Sequence, residues 1–262
     1  MKRRNLQNNL SISELTFGTM RFEYDNDYEA ETLLKKAIDL GITSFHTSFE
    51  YKSHNYFKEI FAKVQRFFPS KHFQHIIKLG EPHFDSNYFD ANRFEEIIDQ
   101  QLLELNAERI DVVQWLLRHT PNEDEFRIKI LQDSIFEISE LVSKLKKKGK
   151  IALFGSHPYS IKFAEKVSSF NHLDIWITYL NLIEKEWISL LDKPFIGIRP
   201  LAAGKLMKKN DIWKYIREND FFYDKSKLES LCLYPLLHPS VKSLIISIKN
   251  LNNLDDLDNV IN

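Results

Sequence analysis

The stretch SFHTSFEY, residues 44–51, places a histidine and a tyrosine five residues apart, with a glutamate between them. An imidazole and a phenol can both exchange protons with a reacting molecule. Lys78 stands in the apolar run HIIKL, where an ammonium ion would face either the outer helices or the interior of the fold. Both are poor places for a charge without a purpose, so Lys78 is predicted to be functional.

The residues around this pair also have ordinary interpretations. Tyr51 could be an aromatic residue at a helix start, and His46 could be a hydrogen-bonded core histidine. Glu50 is predicted to be solvated, or to be a charge that the N-terminus of a helix favours. His119 precedes TPNEDE, a sequence typical of a loop and a helix start, so a surface histidine is the plain expectation there.

Three histidines, His46, His119 and His157, lie at or after the ends of predicted strands. Three imidazoles at one place can bind zinc or a similar metal. No HxH or CxxC spacing supports such a site, so no metal is predicted. The chain also lacks a GxxxxGK phosphate loop and a GxSxG motif.

Charge and cysteine content limit the possible partners. The 262 residues include 36 Lys and Arg and 37 Asp and Glu, a formal net charge of −1. Such a balance gives no general field that attracts nucleic acid or an anionic membrane, so a small molecule or another protein is expected. The single cysteine, Cys232, can form no internal disulfide, which favours a reducing compartment. No apolar run suits a signal peptide or a membrane span, and a cytoplasmic protein is predicted.

Short apolar runs alternate with longer segments of helical spacing. The predicted strands are 14–19, 44–48, 75–79, 111–117, 151–156, 174–179, 195–198 and 243–247. The predicted helices are 28–40, 51–67, 91–105, 133–148, 160–169, 185–191 and 254–261, with a broken region at 211–237.

Eight strands, each followed by a helical segment, predict one α/β domain over residues 1–262, a (β/α)8 TIM barrel. The opening NLQNNLSISEL could form a short hairpin that closes the bottom of the barrel. An open doubly wound sheet is the alternative, and it is disfavoured because no glycine-rich turn follows an early strand.

Several stretches together resemble the aldo-keto reductase family. They are LTFGTMRF, AIDLGITSFHTSFEY, QLLELNAERIDVVQ, KKKGKIALFGSHPYS, GIRPLAAGKL and HPSVKSLIISIKN, and they occur in the family's order. The resemblance implies a barrel that holds a nicotinamide cofactor, usually NADPH, across its mouth. It also implies hydride transfer between that cofactor and a carbonyl or alcohol substrate, which could be sugar-like.

The family's catalytic aspartate, tyrosine, lysine and histidine are only half matched. Tyr51 stands at the position of the proton-donating tyrosine, and Lys78 at that of the lysine that makes the phenol more acidic. His46 stands where the carboxylate that holds the lysine is expected. Leu116 falls at the histidine position, and Arg118 or His119 could reach the same space.

The cofactor-binding positions depart further from the family pattern. His157 and Pro158 replace a Ser-Asn pair, Ile177 replaces a glutamine, and Ile198 or Arg199 replaces an aromatic residue. Ser247 replaces a glycine of the phosphate loop. The resemblance implies that Lys249 contacts a phosphate of the cofactor and that Asn253 contacts its adenine. The other residues it assigns to cofactor binding are Ser156, His157, Arg199, Leu201 and Ser247.

Two hypotheses from different classes follow. The first is an NADP-dependent oxidoreductase in which Tyr51 is the acid and base and Lys78 tunes it. The alternative is a catalytically lapsed barrel that binds a ligand or a partner protein without redox turnover. If His46 contacts Lys78, its pKa is expected to fall, because protonation would place two positive charges side by side.

Overall fold

The computed structural model describes residues 1–7, 10–84, 86–211, 216 and 224–261. In these residues a short hairpin precedes a closed barrel of eight parallel strands. The hairpin consists of β1 (Arg3–Asn5) and β2 (Ser11–Ser13), and the barrel of β3 (Leu15–Gly18), β4 (Ser44–Thr47), β5 (Gln74–Gly80), β6 (Ile110–Leu116), β7 (Ile151–Ser156), β8 (Ile175–Tyr179), β9 (Phe195–Ile198) and β10 (Val241–Ile246). Each barrel strand pairs with the next, and β10 pairs with β3 to close the ring. The predicted barrel is therefore confirmed.

The helices lie around the barrel and connect its strands. The described α-helices are Asp27–Asp39, His54–Gln65, Ala91–Glu104, Asp124–Lys147, Ile161–Ser168, Lys205–Lys208, Lys227–Leu236 and Leu251–Ile261, with 3₁₀ turns at Glu186–Leu190 and Ala202–Gly204. In the broken region predicted at 211–237, residues 212–215 and 217–223 lie outside the described residues.

Several helix starts differ from the prediction, and the last helix begins at Leu251 and not at 254. The fourth helix begins at Asp124 and not at 133, because Asp124 and Glu125 in its first turn suit the positive end of the helix dipole. The second begins at His54 and not at 51, because Tyr51 belongs to a turn in which its N–H donates to Ser48 O at 3.0 Å. Tyr51 therefore lies in the loop after β4.

The hairpin closes the bottom of the barrel, as predicted. Leu6 and Ile12 of the hairpin belong to a buried cluster together with residues from inside the barrel, such as Ile76 and Val112. Arg3 ties the hairpin to the barrel by hydrogen bonds to the side chains of Thr43 and Gln74. The apolar residues of the hairpin thus fill the end of the barrel opposite the strand C-termini.

The alternation of side chains along each strand decides which residues face the inside. Along β5, Ile76 belongs to the cluster inside the barrel, whereas Ile77 and Leu79 pack in the outer core against the helices. Because successive side chains point to opposite faces, Lys78 faces the inside, above Ile76. The same alternation puts Gln114 above Val112 on β6.

The inside of the barrel is thus layered along its axis. The apolar cluster shares the lower part with three buried hydroxyls that bond to one another, those of Thr16, Ser44 and Ser243. Larger polar side chains lie nearer the C-terminal ends of the strands. Lys78 pairs in register with Gln114, and His46 Nε2 lies 2.7 Å from Gln114 Oε1. A polar layer therefore forms just below the mouth.

No helix in the described part of the chain is long and apolar enough to cross a membrane.

Gly155 on β7 tests how closely the inside of the barrel is packed. A Cβ atom there would lie 3.0 Å from the carbonyl oxygen of Ile175 and 2.8 Å from that residue's Cγ2. Gly155→Ala is therefore expected to lower the free energy of unfolding by about 1–3 kcal/mol, the usual cost of overpacking.

Denaturant unfolding of purified protein measures this change. Gly149→Asn is the control, because Gly149 has a φ of +74° but no atom within 4 Å of the added Cβ, and asparagine tolerates that backbone conformation. A Gly155→Ala protein as stable as the wild type would show that β7 and β8 can move apart without cost.

Candidate active site

A cavity of about 550 Å³ opens at the C-terminal ends of the barrel strands. Three of the predicted catalytic residues, His46, Tyr51 and Lys78, line it. So do six of the predicted cofactor-binding residues: His157, Arg199, Leu201, Ser247, Lys249 and Asn253. The loops and strand ends that the sequence indicated therefore meet at one place.

Two predicted site residues lie elsewhere. His119 does not line the cavity, because its Nε2 bonds to Asn87 Oδ1 at 2.8 Å and its ring stacks on Phe126. Arg118, one residue earlier, lines the cavity in its place. Ser156 is buried at the end of β7 and is also absent from the described lining residues.

Lys78 is held by the carboxylate of Glu50, a residue that was predicted to be solvated. Lys78 Nζ donates to Glu50 Oε2 at 2.9 Å, and both side chains are less than one-fifth exposed. The same ammonium lies 4.9 Å from the centre of the Tyr51 ring. The prediction for Glu50 was wrong, because its side chain is mostly buried and pairs with Lys78 and Arg118.

Arg118 completes this group of charges. Its Nη1 donates to Glu50 Oε1 at 2.8 Å, and its Nε donates to the hydroxyl of Tyr159 at 3.1 Å. The two oxygens of Glu50 thus each accept from a different cation. Leu116, at the family's histidine position, lines the cavity as an apolar side chain.

His46 is near Lys78 but bonds to another residue. Its Nε2 lies 2.7 Å from Gln114 Oε1, and because that oxygen can only accept, Nε2 carries the proton. Gln114 Nε2 in turn donates to the carbonyl of Ile177 at 3.1 Å. Burial, and to a smaller degree the charge of Lys78, lowers the pKa of His46 to about 4. The pKa of His46 is therefore lowered, as the sequence led us to expect, but the main cause is burial and not the charge of Lys78.

His157 is a second buried neutral imidazole in the cavity. Its Nδ1 donates to the same Ile177 carbonyl at 3.1 Å, and its ring packs edge-on against Tyr159 and Tyr179. Burial lowers its pKa to about 3, and the charges of Lys78 and Arg118 act in the same direction. His157 and His46 are therefore neutral at physiological pH.

The phenol of Tyr51 is a weaker acid here than the resemblance implied. Burial raises its pKa above the ordinary value, and the charge of Glu50 adds to the rise. Arg118 acts in the opposite direction, because a nearby cation favours phenolate. Tyr51 is therefore fully protonated at neutral pH, and Arg118 is the cation that offsets part of the rise.

Several residues that line the cavity suit a dinucleotide. Lys249 is exposed at the cavity edge just before the helix Leu251–Ile261, and no carboxylate pairs with it among the described residues. A helix N-terminus and a lysine together favour a phosphate. Ile198, Leu201 and Ile245 give the same cavity apolar surface for a ring.

Strained backbone conformations border the cavity. Tyr159, Arg199 and Ala203 line it with φ angles of 62°, 57° and 56°, in the left-handed region that residues other than glycine rarely adopt. Such residues cluster at functional sites, where the surrounding structure holds them in place. Arg127, fully buried, donates to Pro158 O and lies 5.4 Å from the Tyr159 ring, which fixes that loop.

Gln114, Tyr159 and Glu50 belong to the site, although the sequence did not indicate them. A polar residue on the inward positions of β6 was a usable signal for Gln114. No comparable signal exists for Glu50 and Tyr159, because both lie in turns.

The comparisons with known proteins agree with this geometry. The sequence profile of the Aldo/keto reductase family matches residues 14–261. An aldo-keto reductase from Bacillus halodurans, in its holo form, superposes with a TM-score of 0.76 at 19% identity, covering 100% of this chain and 91% of that chain. A glycerol dehydrogenase from Gluconobacter oxydans superposes with a TM-score of 0.74 at 18% identity, covering 99% of this chain and 90% of that one. At these identities the structures show the fold alone.

No curated protein sequence matches the chain. The family generally uses NAD(P)H, so the profile match supports an oxidoreductase function with a nicotinamide cofactor and a small-molecule substrate. Nothing in these comparisons supports the catalytically lapsed alternative. Because the profile spans nearly all of the sequence, the chain belongs to the aldo/keto reductase family.

Proposed function

We propose that this protein is an NADPH-dependent reductase of aldehydes or ketones, with Tyr51 as the proton donor. The observation that carries the proposal is the meeting of Tyr51 and Lys78 in the mouth cavity, with the ammonium 4.9 Å from the phenol ring. Tyr51 comes from the loop after β4 and Lys78 from β5, so only the folded barrel brings them together.

Different residues of the cavity donate the proton and stabilise the charge that develops during the reaction. A reduced nicotinamide, when bound, supplies a hydride to the carbonyl carbon. Tyr51 donates its hydroxyl proton to the carbonyl oxygen, and its raised pKa keeps that proton in place until then. Arg118 and Lys78 exceed Glu50 by one positive charge, which stabilises the negative charge that develops on the oxygens.

The residues that would hold the cofactor are Lys249, Ser247 and Asn253 for the phosphates and adenine, and His157 with Arg199 nearer the ring. The preference for NADPH is supported by Lys249, whose exposed ammonium can bind a further phosphate. A sugar-like polyol and its carbonyl form are the proposed substrate pair. One structural neighbour is a glycerol dehydrogenase, which agrees with this class. The protein is proposed to act in the cytoplasm, without nucleic-acid or membrane partners.

Removal of the proton donor tests the proposal directly. Tyr51→Phe is expected to lower kcat for NADPH-dependent reduction of an aldehyde by about 10²–10⁴-fold, because general acid catalysis typically contributes that much. Tyr24→Phe is the control, since Tyr24 lies outside the cavity and bonds to Ile248 O. Wild-type protein without any reductase activity, or a Tyr51→Phe protein as active as the wild type, would refute the proposal.

The role of Lys249 gives a separate prediction about the cofactor. NADPH is expected to bind more tightly than NADH in a fluorescence titration. Lys249→Met is expected to weaken NADPH binding by about tenfold, the loss of roughly 1.4 kcal/mol from one phosphate contact. Lys242→Met is the matched control, because Lys242 lies on β10 outside the cavity. Equal Kd values for NADPH and NADH would contradict the preference.

The two neutral imidazoles of the cavity make the stability depend on pH. An unfolded chain takes up their protons near pH 6.5, whereas folded His46 does so only near pH 4 and His157 near pH 3. The unfolded state therefore binds more protons between these values. The part of the free energy of unfolding that depends on these two imidazoles is fully present above about pH 6.5. It decreases as the pH falls towards 4. For His46 alone the loss is on the order of 3 kcal/mol.

We therefore predict that Tm falls between pH 6.5 and pH 4, and that His46→Asn makes this fall shallower. Calorimetric scans across that pH range measure the slope. The control is His238→Asn, at an exposed position remote from the cavity. Identical slopes for the wild type and His46→Asn would mean that His46 is not buried as a neutral imidazole.

A further inference from the structure

The ammonium of Lys78 requires a carboxylate partner, and the sequence position where the family supplies one holds a histidine. His46 meets this requirement neither by charge nor by contact, since it is neutral and its Nε2–H bonds to Gln114. Glu50 meets it from the turn after β4, with 2.9 Å between its Oε2 and Lys78 Nζ. Glu50 thus makes the contact to Lys78 that the resemblance assigned to the position of His46.

The position of Glu50 is fixed from its other side. Arg118 Nη1 contacts Oε1 at 2.8 Å, so the two oxygens of the carboxylate are held by two cations from different strand ends. Burial opposes ionisation of Glu50, but Lys78 and Arg118 outweigh it and keep its pKa below the ordinary value. A carboxylate held in this way is charged at every pH near neutrality and cannot swing into the solvent without leaving two cations unpaired.

The end of β5 provides the space for this group. A Cβ atom at Gly80 would lie 2.8 Å from Arg118 Nη1 and 3.0 Å from Glu50 Oε1. Gly80 has no positive φ, so its backbone does not require glycine. The absence of a side chain two residues after Lys78 is therefore matched to the presence of the Glu50–Arg118 pair.

We propose that Glu50 is the positioning carboxylate of Lys78, locked by Arg118 in the space that Gly80 leaves open. Glu50 acts through Lys78 and does not touch the substrate. This inference rests on the proposed reductase function for its effect on turnover. The contact itself does not depend on that function, so it can be measured separately.

The separate measurement is the titration of Lys78 in the free protein. Reductive ¹³C-methylation labels the lysines, and the Lys78 resonance is assigned by its absence in Lys78→Arg. Burial lowers the pKa of Lys78, and Glu50 is the main influence that raises it. Glu50→Gln should therefore shift the Lys78 titration to lower pH, while Glu95→Gln should not. Glu95 is a matched control, a carboxylate on an outer helix that pairs with Lys144 and Lys148.

Turnover gives the second measurement. Glu50→Gln is expected to lower kcat by about 10–100-fold with little change in the Kd for NADPH, and to move the alkaline limb of the pH–rate profile to lower pH. His46→Asp in the Glu50→Gln protein returns a carboxylate to the neighbourhood of Lys78 and should recover part of the loss. Gly80→Ala, which keeps both charges but pushes Arg118 from Glu50, should lower kcat in the same direction.

The outcomes separate the two proposals. An unchanged Lys78 titration in Glu50→Gln overturns the inference, whatever the activity. A normal kcat in Glu50→Gln, with an active wild type, also overturns it. A wild-type protein that reduces no carbonyl overturns the proposed function, and the Lys78 titration then decides the placement of Glu50 on its own.

Discussion

The arrangement of the cavity depends on one positive charge inside a barrel. Lys78 points towards the barrel axis because strand alternation leaves it no other direction, and burial there disfavours its ammonium form. An uncompensated charge in that position would be costly, so a carboxylate must stand beside it. Glu50 supplies the carboxylate, Arg118 immobilises Glu50, and Gly80 leaves room for both. Three features that look unrelated in the sequence are thus consequences of one buried ammonium.

A neutral network lies against this charged group. Gln114 and His157 both donate to the carbonyl oxygen of Ile177, and Gln114 also accepts from His46. A carbonyl has two lone pairs, so one backbone oxygen can fix both side chains. The imidazoles are held in one tautomer each and stay uncharged, which keeps them from competing with Arg118 and Lys78 for Glu50. The mouth of the barrel therefore contains a charged group of side chains and, beside it, a group of neutral ones.

The fold and the location of the cavity could be predicted from the sequence. The side-chain contacts inside the cavity could be predicted only in part. The eight strands and the hairpin followed from periodicity, and Lys78, predicted to be functional from its place in an apolar run, lines the cavity. Glu50 escaped prediction because the direction of a side chain in a turn depends on the turn and not on a strand or helix period. The choice between Arg118 and His119 was open for a similar reason, since the period of β6 ends at Leu116.

At the predicted cofactor positions, the resemblance indicates which residues lie near the cavity but not which of their atoms are free to bind a ligand. His157 stands at the expected strand end and lines the cavity, yet it bonds to a carbonyl of its own chain, which no spacing rule indicates. Ser156, its neighbour, is buried and turned away from the cavity by the same alternation that turns His157 towards it. A motif alignment assigns positions, whereas the packing decides which atoms remain free to meet a ligand.

The hairpin and the last strand also constrain the order in which the chain can fold. Arg4 bonds to the carbonyl of Val241, and β3 pairs with β10, so the first and last parts of the described chain lie side by side. Contacts of such long sequence separation form late and slow the search for the native state. During synthesis the opening strands have no partner on one edge until β10 emerges from the ribosome. For that interval the nascent barrel exposes an unpaired edge, which is the surface that a chaperone or a neighbouring unfinished chain would contact.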